Sequence, residues 1–559
     1  MTKPVKEIRG LGVSAGTVVG PAVRVSPPVP VPITEPGSAD VACARSAVAR
    51  ALESVAVELE RRAGLAGGDG AAVLTATAMM ARDPSLLTSV SSKLEAGAGP
   101  ATALDAAVRE FVATFTAAGG YLAERATDLS DVRDRAVARL LGQPDPGLPP
   151  LEGPSVVIAH DLAPSETAIL DPQLVLALVT EAGGPTSHTA ILAAQLGIPA
   201  VVHATGALTI DAGTEVAVDG TSGQVLINPD RAIRAQFGDR ARRRAELVSR
   251  SSGPGRLADG SAIALYANIG TVADAEQAGA ADVEGVGLFR TEFMFLDRAT
   301  PPSLDEQILS YSTVLEAFGS RPVTIRTLDA GADKPLQFAS QDAEENPALG
   351  IRGIRLSQRR QDLLSTQLEA IGAAVDKTGA HARVMAPMVA TAAEAEWFAG
   401  LARAAGLTTV GIMIEVPSAA LRARHVLQPV DFASIGTNDL TQYVMAADRL
   451  SGELAPLLDP WQPALLDLVN SSCLGAGGRP VGVCGEAAGD PLLALVIVGL
   501  GVSSLSMAVP KIAAVRLALS LHDRQACTAL AEVALGAAGA EQARAAALSL
   551  AHPDVKLLL

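Results

Sequence analysis

Reactive side chains stand at the ends of several short apolar runs in the second half of the chain. Arg290 ends one run, Arg326 and Asp329 close another, Glu415 ends a third and Cys484 ends a fourth. Guanidinium groups bind phosphate and carboxylate oxygens, whereas carboxylates hold divalent cations. The set is therefore typical of a site that binds a small phosphorylated acid together with a metal ion.

More polar residues lie in the adjoining segments. Asn438 and Asp439 follow the run FASIGT, and Arg352, Arg355 and Arg449 lie in predicted loops. For any single arginine, an ordinary satisfied ion pair is an equally good interpretation. Several arginines close to carboxylates at strand ends favour a binding site.

Glu415 is expected to be buried, since the surrounding run GIMIEVP is otherwise apolar. Burying a carboxylate is costly unless it is paired or bound to a metal. Charge neutralisation around a phosphate favours Mg²⁺, which takes few protein ligands and completes its shell with substrate oxygens and water. These residues therefore predict a Mg²⁺ site.

A second centre is GGPTSHTAI, from Gly183 to Ile191, in the first half of the chain. His188 lies there near the predicted start of a helix, where a neutral imidazole can attack phosphorus. The helix end, with its neighbouring hydroxyl groups, can bind the phosphate acquired. A lone loop histidine is more often structural, so the motif as a whole carries this prediction.

Elements that would position the first set begin near residue 262. Eight β-rich runs alternate there with Ala-rich helical stretches: AIALYANI, GVGLFR, PVTIRTLD, RVMAPMV, VGIMIE, FASIGT, PVGVCG and SSLSM. This pattern predicts a closed (β/α)8 barrel, with an open doubly wound sheet as the alternative. The barrel is favoured because barrel enzymes place their chemistry at the carboxyl ends of the strands.

The first half of the chain has a different pattern. Short strands and turns precede long helical segments that run from about residue 38 to 141, and strand-like runs resume at SVVIAH. A helical bundle inserted into an α/β unit is the predicted arrangement. The domain boundaries predicted are 1–36 with 143–230 for the α/β unit, 37–142 for the bundle, 231–258 for a linker helix and 259–559 for the barrel.

Composition narrows the function classes. Forty-four basic and sixty acidic residues give a net charge of −16, which disfavours binding to nucleic acid or an anionic membrane. The four cysteines form no CxxC pair, so free thiols in a reducing compartment are expected. The N-terminus has no signal-like apolar segment, and a cytoplasmic protein is predicted.

Seven motifs in one order resemble a known family along almost the whole chain. They are GGPTSHTAI, GVGLFRTEFMFLDR, IRTLDAGADKP, NPALGIRGIR, GIMIEVPSA, SIGTNDLTQYVMAADR and VGVCGEAAGD. The chain resembles the Enzyme I family of the bacterial sugar phosphotransferase system, which belongs to the phosphoenolpyruvate (PEP)-utilising enzymes. The fold implied is an α/β phosphohistidine domain with an inserted helical bundle, followed by a (β/α)8 barrel.

The resemblance also implies a role for each matching residue. His188 would be phosphorylated on Nε2, and Cys484 would protonate the enolate, although a cysteine at such a position is otherwise often a small buried hydrophobe. Thr167 would hydrogen-bond the histidine. The residues expected to bind PEP are Arg290, Arg326, Asn438, Asp439, Arg449 and Arg352. The residues expected to ligate Mg²⁺ are Glu415 and Asp439.

Partners follow from the same resemblance. The bundle would dock the phosphocarrier protein HPr, the histidine would move between two stations, and the barrel would form a homodimer. The dikinase and synthase relatives need a nucleotide-binding domain for which the chain has no room. A catalytically silent scaffold is the alternative from another class, and the presence of His188, Glu415, Asp439 and Cys484 argues against it.

Overall fold

The computed structural model describes residues 5–64, 68–118, 120–167, 170–184, 187–296, 298–331, 336–339, 344–449 and 452–559. The chain forms two compact units, Met1–Gly238 (unit 1) and Asp239–Leu559 (unit 2). The four-part division predicted from the sequence is finer than this one and stays a prediction.

Unit 1 contains an eight-stranded mixed sheet in the order β1-β8-β7-β3-β4-β5-β6-β2. Strands β3 to β6 pair in parallel, and the other pairs are antiparallel. Val- and Ala-rich runs such as SVVIA are buried throughout, as expected for strands covered on both faces. The strands are β1 Lys6–Arg9, β2 Leu11–Ser14, β3 Thr17–Arg24, β4 Ser155–Ala159, β5 Val175–Thr180, β6 Ala200–Val202, β7 Glu215–Asp219 and β8 Gln224–Ile227.

The bundle is inserted between β3 and β4. Its helices pack apolar faces into one core, in which Val48, Leu52, Leu104 and Val132 are buried. Asp40 accepts a hydrogen bond from the backbone N–H of Cys43 and caps the first helix. The helices are α1 Val41–Ala63, α2 Gly68–Ala81, α3 Pro84–Glu95, α4 Pro100–Ala118 and α5 Gly120–Leu140.

Three further helices follow strands of the α/β part: two come after β4 and β5, and the third comes after the last strand, β8. They are α6 Pro164–Thr167, α7 His188–Leu196 and α8 Arg231–Ser249. Helix α6 packs against α2 and α5 of the bundle and also against α7. It therefore connects the bundle to the segment that begins at His188.

Unit 2 is a closed barrel of eight parallel strands, which confirms the predicted architecture. Each strand coincides with one of the eight β-rich runs of the sequence. The strands are β9 Ala264–Ile269, β10 Val286–Arg290, β11 Val323–Arg326, β12 Ala382–Ala386, β13 Val410–Ile414, β14 Phe432–Ile435, β15 Val481–Val483 and β16 Ser504–Met507.

Helices surround the barrel, and several begin with a capping box, as Thr271 with Asp274 does. The run PLLALVIVG forms a helix that is buried on nearly all sides. The helices are α9 Val272–Ala280, α10 Leu304–Phe318, α11 Ile354–Arg359, α12 Gln361–Thr378, α13 Ala392–Ala404, α14 Pro417–Leu421, α15 Ala423–Val426, α16 Thr437–Val444, α17 Pro463–Gly475, α18 Pro491–Gly499, α19 Val509–Ser520, α20 Arg524–Leu535, α21 Ala540–Leu550 and α22 Val555–Leu558. Within the described ranges, no helix combines the length and apolar character needed to cross a bilayer.

Candidate active site

Arg352 is held by two carboxylates inside unit 2. Its Nε and Nη2 donate to Asp329 Oδ1 and Oδ2 at 3.0 and 2.9 Å, and its Nη1 donates to Asp439 Oδ1 at 3.0 Å. Only 1% of Arg352 is exposed. Two parallel bonds to one carboxylate make a strong and directional pair. Arg352 therefore fixes Asp329 and Asp439 relative to each other.

Arg326, the last residue of β11, faces three carboxylates. Its Nη2 donates to Glu292 Oε1 at 2.9 Å, and its Nη1 lies 3.4 Å from Asp329 Oδ2 and 3.6 Å from Glu415 Oε1. Burial alone would lower the pKa of Arg326, but the surrounding carboxylates outweigh it and raise that pKa. The guanidinium consequently stays charged although it is almost fully buried.

Glu415 follows β13 directly and is 1% exposed. Its Oε2 accepts a hydrogen bond of 2.9 Å from the backbone N–H of Met388, a residue held at a φ of 59°. Burial raises the pKa of Glu415 to about 7, and the nearby Asp439 and Asp329 add to the rise. Burial and the neighbouring charges destabilise the ionised form of this carboxylate, so a cation beside it would stabilise that form.

Asn438 and Asp439 lie in the first turn of α16, which starts two residues after β14. Asp439 Oδ2 is 3.6 Å from Nη1 of Arg449, which is about one-third exposed at its side chain. Asn438 Oδ1 accepts a bond of 3.0 Å from the backbone N–H of Glu486. The short turn thus brings an acid and an amide to the carboxyl end of the barrel.

Cys484 follows β15 and is 2% exposed. The thiol belongs to an apolar cluster inside the barrel with Leu288, Met385, Met413 and Phe432. Burial raises the pKa of Cys484 to about 11, so the thiol keeps its proton at neutral pH. A protonated thiol in an apolar setting can act as an acid towards carbon.

Arg290, the last residue of β10, is partly exposed. Its charge acts to lower the pKa of the Cys484 thiol, against the larger effect of burial. Arg290 therefore lies within electrostatic range of the thiol on the same edge of the barrel.

The carboxylates at this edge suit a hard cation. Glu415 and Asp439 supply oxygen donors, and the charge of Asp439 raises the pKa of Glu415 through repulsion. Among the residues that the structure describes, no group of three or more His, Cys, Asp or Glu side chains is arranged to hold a metal. A pair of carboxylates fits Mg²⁺, which commonly takes one or two from the protein.

In unit 1, His188 is the first residue of α7, as predicted for a histidine at a helix start. Ser187 caps the helix by accepting a hydrogen bond from the backbone N–H of Ala190. Thr167, in α6, is buried at 1% exposure. The side chain of His188 and all of residues 185–186 lie outside what the structure describes.

Glu292 and Asn268 also lie at this edge of the barrel, and neither was predicted from the sequence. Glu292 accepts hydrogen bonds from Arg326 and from the backbone N–H of Asp329 at 3.0 Å. Arg290 ends a β-rich run and Glu292 lies two residues later, so its place in the sequence could have predicted a position at this edge. Asn268 near the end of β9 carried the same signal, because it too stands at the carboxyl edge.

The chain matches three family descriptions that together span most of its length. Residues 244–524 match the PEP-utilising enzyme PEP-binding domain, residues 151–223 match the mobile domain of the same enzymes, and residues 9–125 match their N-terminal domain. The match to the PEP-binding domain covers all eight barrel strands, which position the arginines, the carboxylates and Cys484. The match to the mobile domain includes His188.

Curated relatives extend over nearly the whole chain. A phosphoenolpyruvate-protein phosphotransferase of Streptomyces coelicolor is 50% identical over 97% of this chain and 98% of its own. One from Geobacillus stearothermophilus is 37% identical over 96% of this chain and 97% of its own. A solution structure of an Enzyme I protein covers 42% of this chain and 98% of that chain at 31% identity, with a TM-score of 0.38.

Proposed function

The chain belongs to the PEP-utilising enzyme family, and we propose that it transfers the phosphoryl group of PEP to His188 and then to a protein acceptor. One observation carries the proposal. Two buried arginines, two metal-type carboxylates and a protonated thiol converge at the carboxyl edge of one barrel. The comparisons support the same activity, since a relative at 50% identity is a phosphoenolpyruvate-protein phosphotransferase.

PEP would bind at this edge through its phosphate and carboxylate groups. Arg290 and Arg449 are partly exposed there and offer guanidinium groups to incoming anions. Arg326 would stabilise the charge on the transferring phosphoryl group. Arg352 would add a contact while holding Asp439 in place. Guanidinium groups that are fixed and buried, as those of Arg326 and Arg352 are, stabilise such charge strongly.

Glu415 and Asp439 would hold Mg²⁺. When bound, the ion would neutralise substrate oxygens and share the charge of the phosphoryl group. Asn438 would orient the substrate through the amide hydrogens that its bond to Glu486 leaves available, because that bond uses only the side-chain oxygen.

In the first step, Nε2 of a neutral His188 would attack phosphorus. The P–N bond forms as the P–O bond breaks, and the electron pair remains on the enolate of pyruvate. Thr167 would hydrogen-bond the imidazole and keep the attacking nitrogen in the required tautomer.

In the second step, Cys484 would deliver its proton to C3 of the enolate. The S–H bond breaks, a C–H bond forms and pyruvate leaves, after which the thiolate takes a proton from solvent. The raised pKa of Cys484 supports this role, because the thiol carries its proton when the substrate arrives.

Phosphohistidine would then pass its phosphoryl group to a histidine of HPr docked on the bundle. Residues 1–36 with 143–230 would form the moving phosphohistidine domain, 37–142 the docking bundle, 231–258 the linker and 259–559 the PEP-binding domain. We place the protein in the cytoplasm as a homodimer that joins through the barrel.

Isotope exchange tests the first half-reaction without any acceptor. With Mg²⁺ present, the protein should exchange label between pyruvate and PEP, because a phosphoenzyme makes the step reversible. Arg326→Met should abolish the exchange. Arg298→Met, at an exposed pair with Glu306, should leave it within about twofold of the parent. Exchange that survives in Arg326→Met would reject this site.

A further inference from the structure

Asn268 links three neighbouring strands at the carboxyl edge of the barrel. Its Nδ2 donates to the backbone carbonyl of Cys484 at 3.1 Å and to that of Ser506 at 3.4 Å. Its Oδ1 accepts a bond of 2.6 Å from the Ser506 hydroxyl. One amide on β9 thus links β16 to the residue that directly follows β15, and that residue, Cys484, bears the thiol.

The orientation of this amide is fixed by its partners. Two carbonyl oxygens can only accept, so they face the NH₂ group, and the Ser506 hydroxyl faces the amide oxygen. The same hydroxyl lies 3.1 Å from the carbonyl of Ala267. Gly287 leaves the necessary room, because a Cβ there would lie 2.5 Å from the Ser506 side chain.

The segment that carries the thiol is also held from its other side. The backbone N–H of Cys484 donates to the Ile435 carbonyl at 3.0 Å. A Cβ on Gly485 would lie 1.9 Å from the Thr437 hydroxyl, so this part of the chain packs tightly against α16. Among the residues that the structure describes, the Asn268 amide holds the Cys484 carbonyl from the β9 side.

We infer that Asn268, held by Ser506, is a positioning residue for proton delivery by Cys484. The inference rests on the proposed role of that thiol. A proton reaches carbon at a useful rate only when donor and acceptor are accurately aligned. The thiol contacts the Ile435 carbonyl at 3.6 Å and the Ser434 side chain, both on β14, so its placement relative to β9 depends on the backbone that Asn268 holds.

The phosphoryl step does not use this contact. Arg326, Arg352 and Glu415 bond to another set of residues, which includes Glu292, Asp329 and Met388. Loss of the amide should therefore delay protonation and leave the phosphorylation of His188 near its normal rate. Enolpyruvate would then be released and would become pyruvate in solution.

A single-turnover experiment separates the two events. Full-length protein is mixed with PEP and Mg²⁺, phosphohistidine is followed by rapid quench, and keto-pyruvate is followed by stopped flow with lactate dehydrogenase and NADH. In the parent, both products should appear together. In Asn268→Asp, which replaces the donor by an acceptor, phosphohistidine should form within about twofold of the parent rate, whereas pyruvate should lag at least about tenfold.

Ser506→Ala supplies a second and milder variant, because it frees the amide oxygen without changing Asn268. It should give a smaller lag of the same kind. Ser503→Ala is the matched control, since Ser503 donates to the carbonyl of Val481 at 3.1 Å at the other end of the same strand pair. It should show no lag. Equal slowing of both products in Asn268→Asp and Ser506→Ala would indicate a merely structural role and overturn the inference.

Cys484→Ala distinguishes failure of this inference from failure of the proposed function. A lag in Cys484→Ala with none in Asn268→Asp and Ser506→Ala would reject the positioning role and keep the thiol as the acid. No lag in Cys484→Ala would reject both. Absence of phosphohistidine in the parent protein would reject the proposed function itself.

Discussion

At the scale of single residues, the site contains more buried negative charge than positive. The carboxylates of Glu292, Asp329, Glu415 and Asp439 and the guanidinium groups of Arg326 and Arg352 are each less than 10% exposed. Two negative charges are therefore uncompensated among these six side chains. Such an excess is costly in a low dielectric unless a proton or a cation joins it. Glu415 responds by holding its proton up to a pH of about 7.

Stability of the metal-free protein should consequently fall as the pH rises from about 4.5 to about 7. The folded state binds the Glu415 proton more tightly than the unfolded state, so the folded state loses that advantage as the proton leaves. Glu415→Gln should remove this loss and raise the free energy of unfolding at pH 8 by on the order of 3 kcal/mol. Urea unfolding in a chelator measures it.

Mg²⁺ should reverse the difference in the free energy of unfolding between the parent protein and Glu415→Gln. Added Mg²⁺ should stabilise the parent protein at pH 8 and stabilise Glu415→Gln much less, because the variant offers the ion only the Asp439 carboxylate of the pair. Equal stabilisation of both proteins would contradict the assignment of Glu415 as a metal ligand.

The sequence indicated which residues gather at this site but could not show how they pair. Arg326, Glu415 and Asp439 could be predicted there because each follows a β-rich run, and strand ends share one edge. The bidentate pair between Arg352 and Asp329 could not be predicted. It depends on how the loop after β11 folds, because both residues lie in that loop.

At the scale of secondary-structure elements, helix α6 is tied to the bundle by buried charges. Arg135 of α5 pairs with Asp131 and with Glu166 of α6, and Glu166 also accepts from Arg62 at 3.1 Å. The Ser165 hydroxyl donates to Asp131 at 2.6 Å. These bonds connect the bundle to the helix that also carries Thr167.

Arg135→Met should therefore destabilise unit 1 by about 3–5 kcal/mol, because Glu166 and Asp131 would remain buried with one partner fewer. Arg61→Met is the control, since Arg61 pairs with Glu58 at a side chain that is 61% exposed, and it should cost less than about 1 kcal/mol. Thermal unfolding followed by circular dichroism compares them. Similar losses in the two variants would contradict the account.

Two glycines test the packing of the barrel. A Cβ at Gly411 in β13 would lie 2.4 Å from the Phe432 ring, whereas a Cβ at Gly400 in α13 would meet nothing within 4 Å. Gly411→Ala should lose about 1–3 kcal/mol through overpacking. Gly400→Ala should gain about 0.5–1 kcal/mol from helix propensity. Denaturant midpoints measure both, and a neutral Gly411→Ala would show that the barrel interior is looser than described.

The elements of the barrel were largely predictable, because each run of Val, Ile, Leu and Phe is short and is separated from the next by a helical stretch. Strand β1, KEIR, was not predicted as a separate strand. Its charged residues are mostly exposed, and it is held by antiparallel pairing with β8, which lies more than 200 residues away along the chain. Pairing at that sequence distance leaves no local signal.

At the scale of the whole molecule, the proposed reaction requires both units. The histidine motif begins α7 in unit 1, and the arginines, carboxylates and thiol belong to unit 2. The family matches divide along the same line, with a mobile domain before residue 239 and a PEP-binding domain that covers most of the barrel. Sequence motifs predicted both centres, since each motif is local.

Phosphorylation of His188 by PEP is the central claim, and mass spectrometry of the intact protein tests it most directly. After incubation with PEP and Mg²⁺, the full chain should carry one phosphoryl group that is labile in acid and stable in base. The group should be absent from His188→Ala, checked for folding by circular dichroism. A parent protein that stays unmodified, or a His188→Ala protein that is labelled equally, would contradict the account.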